Sequence, residues 1–293
     1  MGELGARYLL GLGTPPLSIT HSRIEYMLKP NQDAYRFGNH YEINQYGMRS
    51  ENFPAQKEAK EYRIIVFGDS VINGGALTDQ KDLATSLVRG ELTKRYEKAT
   101  VGNVSAGSWG PGNWLAYAEE YGFFDADIIF LILSSHDYAD NPTFQALNPS
   151  THPTTRPVSA LQEGIVNYLP RYLPFKSWGR VVEADRFGVE VTERDRLKGL
   201  EDLKKFLLIA KKQQKSIILL QHLEKLEIIE GAVHPGHLHI KTACSELGIF
   251  PISLEPYFRQ SINSGTNPYR DNIHPNEIGQ RLIADAILAN LPS

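Results

Sequence analysis

The sequence is poor in cysteine, because Cys244 is the single one among 293 residues. One cysteine cannot form an internal disulfide, so the fold must depend on its hydrophobic core. An excess of charge is also absent: 31 Lys and Arg residues face 34 Asp and Glu residues, for a formal net charge of −3. This balance gives no reason to expect a nucleic acid or an anionic membrane as a partner.

Long apolar runs are missing as well. No window approaches the ~18 consecutive apolar residues that a membrane span needs. The N-terminal stretch MGELGARYLLGLGTPPLS lacks the basic segment and the apolar run of a signal peptide. We therefore expect a soluble chain with no transmembrane segment, and a place in the cell envelope only if the native chain begins further upstream. Composition determines neither the compartment nor the oligomeric state.

Two parts of the chain differ in pattern. Residues 1–60 are rich in Pro, Gly and Asn and predict an irregular arm, with one short hairpin, packed on the core. Residues 61–293 alternate apolar strands with amphipathic helices and predict one domain. Its strand candidates lie at 63–68, 99–105, 127–134, 216–221 and 249–254. Its helix candidates lie at roughly 80–97, 112–122, 195–214, 236–247 and 276–290.

The order of these elements indicates the fold class. Strands and helices that take turns predict a parallel sheet covered by helices on both sides. Residues 138–192 break this pattern with Pro, Thr and aromatic residues around one short predicted helix near SALQEGIVNYLPRYL. An insertion of this length after a central strand favours a lid or a wall of a substrate site.

The stretch RIIVFGDSVINGG runs from a predicted strand directly into Ser70. In open α/β sheets, ligands bind in the crevice outside the carboxyl ends of the strands, so a serine at this position is a candidate nucleophile. Gly68 and Gly74 let the backbone turn sharply around it. Asp69 is expected to bond local backbone and hold the turn.

Two further strand ends carry candidate residues. Gly107 follows the second predicted strand and precedes a helix, where a backbone N–H can hold an anion. His136 and Asp137 follow the most apolar strand. Asn103 is expected to make structural hydrogen bonds close to these residues.

Asp271 and His274 stand three residues apart, just before the last predicted helix. A serine hydroxyl is a weak nucleophile until a base takes its proton, and the base needs a third group that fixes its tautomer. Taken alone, the pair is equally well explained by Asp271 capping the helix and His274 bonding a carbonyl. Together with Ser70, it favours nucleophilic catalysis.

These motifs resemble those of the SGNH or GDSL hydrolases, from about residue 63 to residue 291. The first block of that family, Gly-Asp-Ser with a later glycine, is matched by Gly68, Asp69, Ser70 and Gly74. The backbone-donating glycine after its second strand is matched by Gly107. Its final Asp-x-x-His block is matched by Asp271 and His274. The upstream stretch INQYGMRSENFP is similar to the lead-in of envelope-associated, polysaccharide-modifying members.

One block departs from the family pattern. Its usual form is Gly-x-Asn-Asp, in which the asparagine donates a side-chain hydrogen bond to the oxyanion. The aligned residues here are Ser134, Ser135, His136 and Asp137. An imidazole N–H can donate as an amide does, so His136 is the expected third oxyanion donor.

The resemblance implies a three-layer α/β/α sandwich with a mostly parallel five-stranded sheet of the flavodoxin-like type. It implies a serine esterase in which Ser70 is the nucleophile, His274 the base and Asp271 its orienting group. The N–H groups of Ser70 and Gly107 would form the oxyanion hole together with His136, with no metal or organic cofactor. The implied substrate is a small-molecule or polysaccharide ester, and the lead-in favours O-acetyl groups on a carbohydrate.

Two alternative functions stay open. An O-acetyltransferase on the same scaffold would pass the acyl group to a sugar hydroxyl instead of to water. A degenerate carbohydrate-binding protein would result if His136 disrupted the oxyanion hole. The enzyme hypothesis also fails if the His274 ring cannot reach the Ser70 hydroxyl. Trp109 and Trp178 are the candidates for stacking on a sugar.

The run HPGHLH contains His234, His237 and His239 and raises the question of a metal site. The run appears in the sequence without nearby carboxylate support and lies at the start of a predicted helix. The sequence therefore disfavours metal binding there.

Overall fold

The structure, a computed structural model, describes residues 2–169 and 191–292. Trp178 of the predicted insertion lies outside these ranges. The longest described helix has 20 residues and carries charged side chains along its length. Within the described ranges, no helix has the length and apolar character needed to cross a membrane.

The N-terminal arm contains two antiparallel hairpins where the sequence predicts one. It begins with α1 (Gly2–Leu4), after which β1 (Ser18–His21) pairs with β2 (Glu25–Leu28), and β3 (Gln32–Arg36) pairs with β4 (Asn39–Ile43). The second hairpin turns through Phe37 and Gly38, whose φ angles of 52° and 81° are both positive. Phe-Gly lacks the Asn-Gly or Asp-Gly signal of such turns, so the sequence gives no position for this hairpin.

The central sheet confirms the predicted fold class. Its strands are β5 (Glu61–Gly68), β6 (Lys98–Ser105), β7 (Ile128–Leu133), β8 (Ser216–Gln221) and β9 (Ile252–Ser253). All five are parallel, in the order β6-β5-β7-β8-β9, which is the doubly wound order of flavodoxin-like sheets. The last strand is shorter than predicted, because only Ile252 and Ser253 pair with β8.

Helices cover both faces of the sheet. On one face, α4 (Pro111–Tyr121), α6 (Glu193–Lys212) and α8 (Pro235–Ser245) pack on strand residues that include Ile65 and Phe67. On the other face, α3 (Ala84–Leu92), α9 (Glu255–Asn263) and α10 (Glu277–Ala289) pack on residues that include Ile64 and Val66. Because successive side chains of a strand point to opposite faces, runs that are buried on both faces, such as residues 64–67 of β5, are continuously apolar.

Three shorter helices complete the described ranges: α2 (Ser70–Asn73), α5 (Ala160–Glu163) and α7 (Lys225–Glu230). The sequence predicts neither α7 nor α9, since 6 and 9 residues give too few turns for a clear periodic signal. The helix predicted over 80–97 is shorter, because residues 80–82 form a 3₁₀ turn and the α-helix begins at Ala84.

The described part of the insertion packs on the N-terminal arm. The Glu163 carboxylate pairs with the buried guanidinium of Arg36 at 2.5 Å and accepts the Gly13 N–H at 2.6 Å. The Ser18 N–H donates to the carbonyl of Pro153 at 2.8 Å. The role of residues 138–192 as a lid or substrate wall stays a prediction.

Arg49 joins the arm to the segment that follows Ser70. Its guanidinium is buried and donates to the backbone carbonyls of Asn73 at 3.1 Å and Thr78 at 2.8 Å, and also to that of Gly75. Burial lowers the pKa of Arg49 to about 10, so the group stays charged at neutral pH. The arm is therefore part of the scaffold that holds this segment in place.

We expect Arg49→Met to destabilise the protein by about 3 kcal/mol or more, because it leaves several buried carbonyls without a donor. Urea unfolding of the full chain measures this free energy. Arg23→Met is the matched control, since the Arg23 side chain is half-exposed and pairs with surface Glu119 and Glu120. Its expected cost is below about 1 kcal/mol. Equal costs for the two variants would contradict the role of Arg49.

Candidate active site

Ser70 is the first residue of α2, directly after β5 ends. The Asp69 side chain caps this helix by accepting the Val71 N–H at 2.9 Å, as the sequence predicts. Gly74 ends the helix with a φ of 70°. A Cβ on Gly68 would lie 2.6 Å from Cγ2 of Ile72, so only glycine lets the turn close this tightly. Glycine is therefore required at the two positions for different reasons: close packing at Gly68 and a positive φ at Gly74.

The structure brings Ser70, His274 and Asp271 together. His274 Nε2 lies 2.9 Å from the Ser70 hydroxyl oxygen, and His274 Nδ1 lies 2.8 Å from Oδ2 of Asp271. The side chains of His274 and Asp271 are 30% and 50% exposed, so the pair lies open to solvent. This arrangement places an imidazole base between a hydroxyl and a carboxylate.

Asp271 is fixed by its own backbone neighbours. Its Oδ1 accepts the N–H groups of Ile273 at 2.8 Å and His274 at 2.7 Å. Partial burial opposes ionisation, but these two N–H groups and the His274 ring hold the pKa of Asp271 below its usual value. The carboxylate is therefore charged at neutral pH and accepts a hydrogen bond from the Nδ1–H group of His274.

His222, which the sequence does not single out, holds the loop that carries Asp271 and His274. It follows β8, is fully buried, and its Nε2 lies 2.8 Å from the carbonyl oxygen of Ile273. Burial lowers the pKa of His222 to about 4, so the ring is neutral and donates from Nε2. The position of His222 just past a strand end could have marked it as a candidate site residue. The residues around it in the sequence do not indicate a contact with Ile273.

Asn272 ties the same loop to α7. Its carbonyl accepts the Lys225 N–H at 2.7 Å, and its side-chain oxygen accepts the Leu226 N–H at 3.1 Å. Its Nδ2 donates to Oε2 of the buried Glu224 at 2.7 Å. Because Asn272 adjoins Asp271, these contacts also fix the position of the orienting carboxylate.

The N–H groups of Ser70 and Gly107 make no hydrogen bond to any described residue. The Gly107 carbonyl accepts the hydroxyl of Tyr26, which fixes the peptide that follows β6. A Cβ on Gly107 would meet only the Tyr26 hydroxyl, at 3.8 Å, so packing of the described residues does not require glycine here. Both N–H groups remain available to a ligand.

Asn103 has the structural role that the sequence predicts. Its Nδ2 donates to the Ile72 carbonyl at 2.9 Å and to the Thr85 hydroxyl at 3.2 Å. Asn73 donates to the Ser105 carbonyl at 2.9 Å and so links α2 to the same strand. Trp109, by contrast, is 1% exposed and bonds the Tyr26 carbonyl, so its proposed stacking on a sugar is wrong.

His136 lies among three carboxylates, one of which belongs to Asp69, the residue before Ser70. Its Nδ1 is 3.4 Å from Oε1 of Glu224, and its Nε2 is 3.5 Å from Oδ1 of Asp137 and 3.8 Å from Oδ2 of Asp69. Burial lowers the pKa of His136, but Asp137, Asp69 and Glu224 outweigh this and raise it well above its usual value. These distances exceed those of good hydrogen bonds, so Nε2 is not committed to one acceptor.

The HPGHLH run has carboxylate neighbours after all. Glu227 accepts the His234 N–H at 2.6 Å, and its carboxylate lies 3.4 Å from Nε2 of the buried His237. His239 is exposed and lies beside the ring of Tyr138 instead. The premise that no carboxylate supports this run is wrong, because α7 precedes it and folds against it.

The fold is similar to that of several solved structures. One is a member of the lipolytic protein G-D-S-L family from Veillonella parvula DSM 2008, with 15% identity over 78% of this chain and 98% of that chain and a TM-score of 0.45. A two-domain esterase active on acetylated mannans shares 15% identity over 79% of this chain and 49% of that chain, with a TM-score of 0.49. This chain thus spans about half the length of that esterase.

A catalytic mutant of an acetylxylan esterase from Geobacillus stearothermophilus is also similar. It shares 14% identity over 78% of this chain and 93% of that chain, with a TM-score of 0.48. No family model and no curated protein matches the chain.

If His136 donates to an oxyanion, a variant that keeps an N–H donor should keep activity. We expect His136→Asn to retain kcat within about tenfold and His136→Ala to lose about 10²–10³-fold. Turnover of p-nitrophenyl acetate measures both, and urea unfolding checks that the two variants are equally folded. Equal kcat in the two variants would contradict the donor role.

Proposed function

We propose that this chain is a serine ester hydrolase that works by acyl transfer through Ser70. The observation that carries the proposal is the continuous contact from the Ser70 hydroxyl to His274 Nε2, at 2.9 Å, and from His274 Nδ1 to Asp271, at 2.8 Å. This arrangement of hydroxyl, imidazole and carboxylate activates a serine in enzymes of unrelated fold.

In the proposed mechanism, each of the three side chains has its own step. Ser70 Oγ attacks the ester carbonyl carbon while His274 Nε2 takes its proton, and Asp271 stabilises the resulting imidazolium. The tetrahedral intermediate collapses when His274 returns this proton to the leaving alcohol, which leaves an acyl group on Ser70. Water, deprotonated by His274, then attacks the acyl-serine, and the acid is released as Ser70 regains its proton.

The developing oxyanion is held by N–H donors. Ser70 contributes its backbone N–H as the first residue of a helix, where such groups have no partner within the helix. Gly107 contributes a second backbone N–H, and His136 contributes a ring N–H. Each donor is worth about 10²–10³ in kcat where such donors have been removed in other enzymes. The reaction needs no metal ion or organic cofactor at the reacting atoms.

For the substrate, we propose O-acetyl or another short acyl group on a carbohydrate. The support is the resemblance of INQYGMRSENFP to polysaccharide-modifying members and the exposure of the His274 and Asp271 side chains. An ester on a bulky alcohol can reach groups that lie open to solvent. The distance of 2.9 Å between His274 Nε2 and the Ser70 hydroxyl supports the enzyme hypothesis over a degenerate binding protein.

We expect the full chain to hydrolyse p-nitrophenyl acetate and Ser70→Ala to lose about 10⁴-fold or more of kcat, because the variant lacks the hydroxyl that forms the acyl intermediate. Release of p-nitrophenol by the two proteins, followed at one pH, measures this effect. Equal rates in the two proteins would contradict catalysis by Ser70.

The same two proteins test the acyl acceptor. Wild type incubated with an acetylated xylo-oligosaccharide should give free acetate, which Ser70→Ala should not. Acetate that moves to an added unacetylated oligosaccharide, without free acetate, would identify a transferase and contradict hydrolysis. Turnover of p-nitrophenyl acetate without action on the oligosaccharide would contradict only the carbohydrate substrate.

A further inference from the structure

A second group of ligand-type side chains lies near the site, at the carboxyl end of β8. Glu224, Glu227 and His234 form a cluster, called here the Glu–His cluster, built by α7 and the loop that precedes α8. One ligand atom from each residue lies within 4.8 Å of the others, and His234 Nδ1 faces Oε1 of both glutamates. None of these three side chains takes part in the proposed ester hydrolysis.

The spacing within this cluster is unlike that of hydrogen bonds. His234 Nδ1 lies 3.5 Å from Oε1 of Glu227, 3.9 Å from Oε1 of Glu224 and 3.4 Å from the Ser135 hydroxyl. Good N–H···O hydrogen bonds are about 2.7–3.2 Å long. Ligands at about 2.0–2.2 Å from a tetrahedral zinc ion lie about 3.3–3.5 Å from one another. His234 Nδ1 is thus at the separation of two zinc ligands from Oε1 of Glu227, and Oε1 of Glu224, at 3.9 Å, would have to move a few tenths of an ångström closer to bind the same ion.

The negative charge of the two buried glutamates also favours the binding of a cation. The side chains of Glu224 and Glu227 are 8% and 0% exposed. Within the described ranges their ion-pair partners are histidines alone, namely His136, His234 and His237. Buried carboxylates are costly unless paired with positive charge, and His136 is shared with Asp69 and Asp137. A divalent ion would offset both glutamates.

We propose that Glu224, Glu227 and His234 bind one divalent transition-metal ion of the zinc class. Imidazole nitrogen together with carboxylate oxygen is a donor set that suits such ions better than calcium or magnesium, which prefer oxygen alone. Glu227 also accepts two backbone N–H groups, but each carboxylate oxygen has a second lone pair for the metal. His234 is half-exposed, which gives the ion a path from solvent.

The bound ion would help to fix the position of the loop that carries Asp271 and His274. Glu224 receives the Asn272 side chain through Oε2, so its Oε1 can bind a metal without losing that contact. Asn272 adjoins Asp271, and metal ligands with hydrogen-bonded neighbours are held firmly in orientation. The ion would not touch Ser70 or His274, so its role is structural. The site is thus independent of whether the chain hydrolyses esters.

The test is zinc binding to the full chain, free of any histidine tag and first treated with a chelator. Isothermal titration with zinc chloride should show one ion per wild-type chain, and His234→Ala and Glu224→Gln should weaken binding by about 100-fold or more. His239→Ala is the matched control, because His239 belongs to the same histidine run but lies outside the cluster. It should bind zinc as the wild type does.

Three results would overturn the proposal: no saturable binding by the wild type, unchanged affinity in His234→Ala, or an equal loss in His239→Ala. Circular dichroism checks that each variant is folded. The half-exposed His234 can be truncated with little effect on packing, so His234→Ala decides the question even if Glu224→Gln fails to fold.

Discussion

The candidate site depends on one hydrogen bond, between the His274 ring and the Ser70 hydroxyl, which joins residues 204 positions apart. The parallel sheet brings the two ends near each other, since Ser70 follows β5 and the His274 loop packs beside the end of β8. Three contacts fix this loop. His222 bonds the Ile273 carbonyl, the Tyr269 hydroxyl donates to the Leu223 carbonyl at 2.5 Å, and the Asn272 side chain accepts the Leu226 N–H of α7. Gln280 of α10 completes this arrangement by donating to the Val71 carbonyl at 2.7 Å. The triad is thus positioned by buried polar contacts rather than by the covalent chain.

Charge around Ser70 explains why a histidine occupies position 136. The carboxylates of Asp69, Asp137 and Glu224 converge on this ring, and a neutral asparagine could not offset them. Burial, followed by the charge of Asp69, raises the pKa of Asp137 well above its usual range, and the charge of the His136 ring opposes this rise. The effect of the larger ring on kcat depends on where its N–H groups lie, and the His136→Asn variant measures this effect.

Much of the fold and the core of the site could be predicted from the sequence. The strands that become β5, β7 and β8 contain continuous apolar runs because both of their faces are buried, and the Ser70 and Asp271–His274 motifs lie at the strand end and loop where parallel strands place their ligands. What escaped prediction is non-local or short. His222 and Arg49 act on backbone groups 51 and 24–29 residues away, and a single sequence carries no sign of such contacts. The hairpin at Phe37, α7 and α9 lack the turn signals or the length that periodicity requires.

The central claim is that His274 activates Ser70, and covalent labelling tests it most directly. A fluorophosphonate reacts with a serine only when a base has made its hydroxyl nucleophilic. Intact-mass measurement and peptide mapping should find one adduct per chain, on Ser70, formed about 10³-fold more slowly in His274→Ala. An adduct on another residue, or an equal labelling rate in the two proteins, would contradict the account.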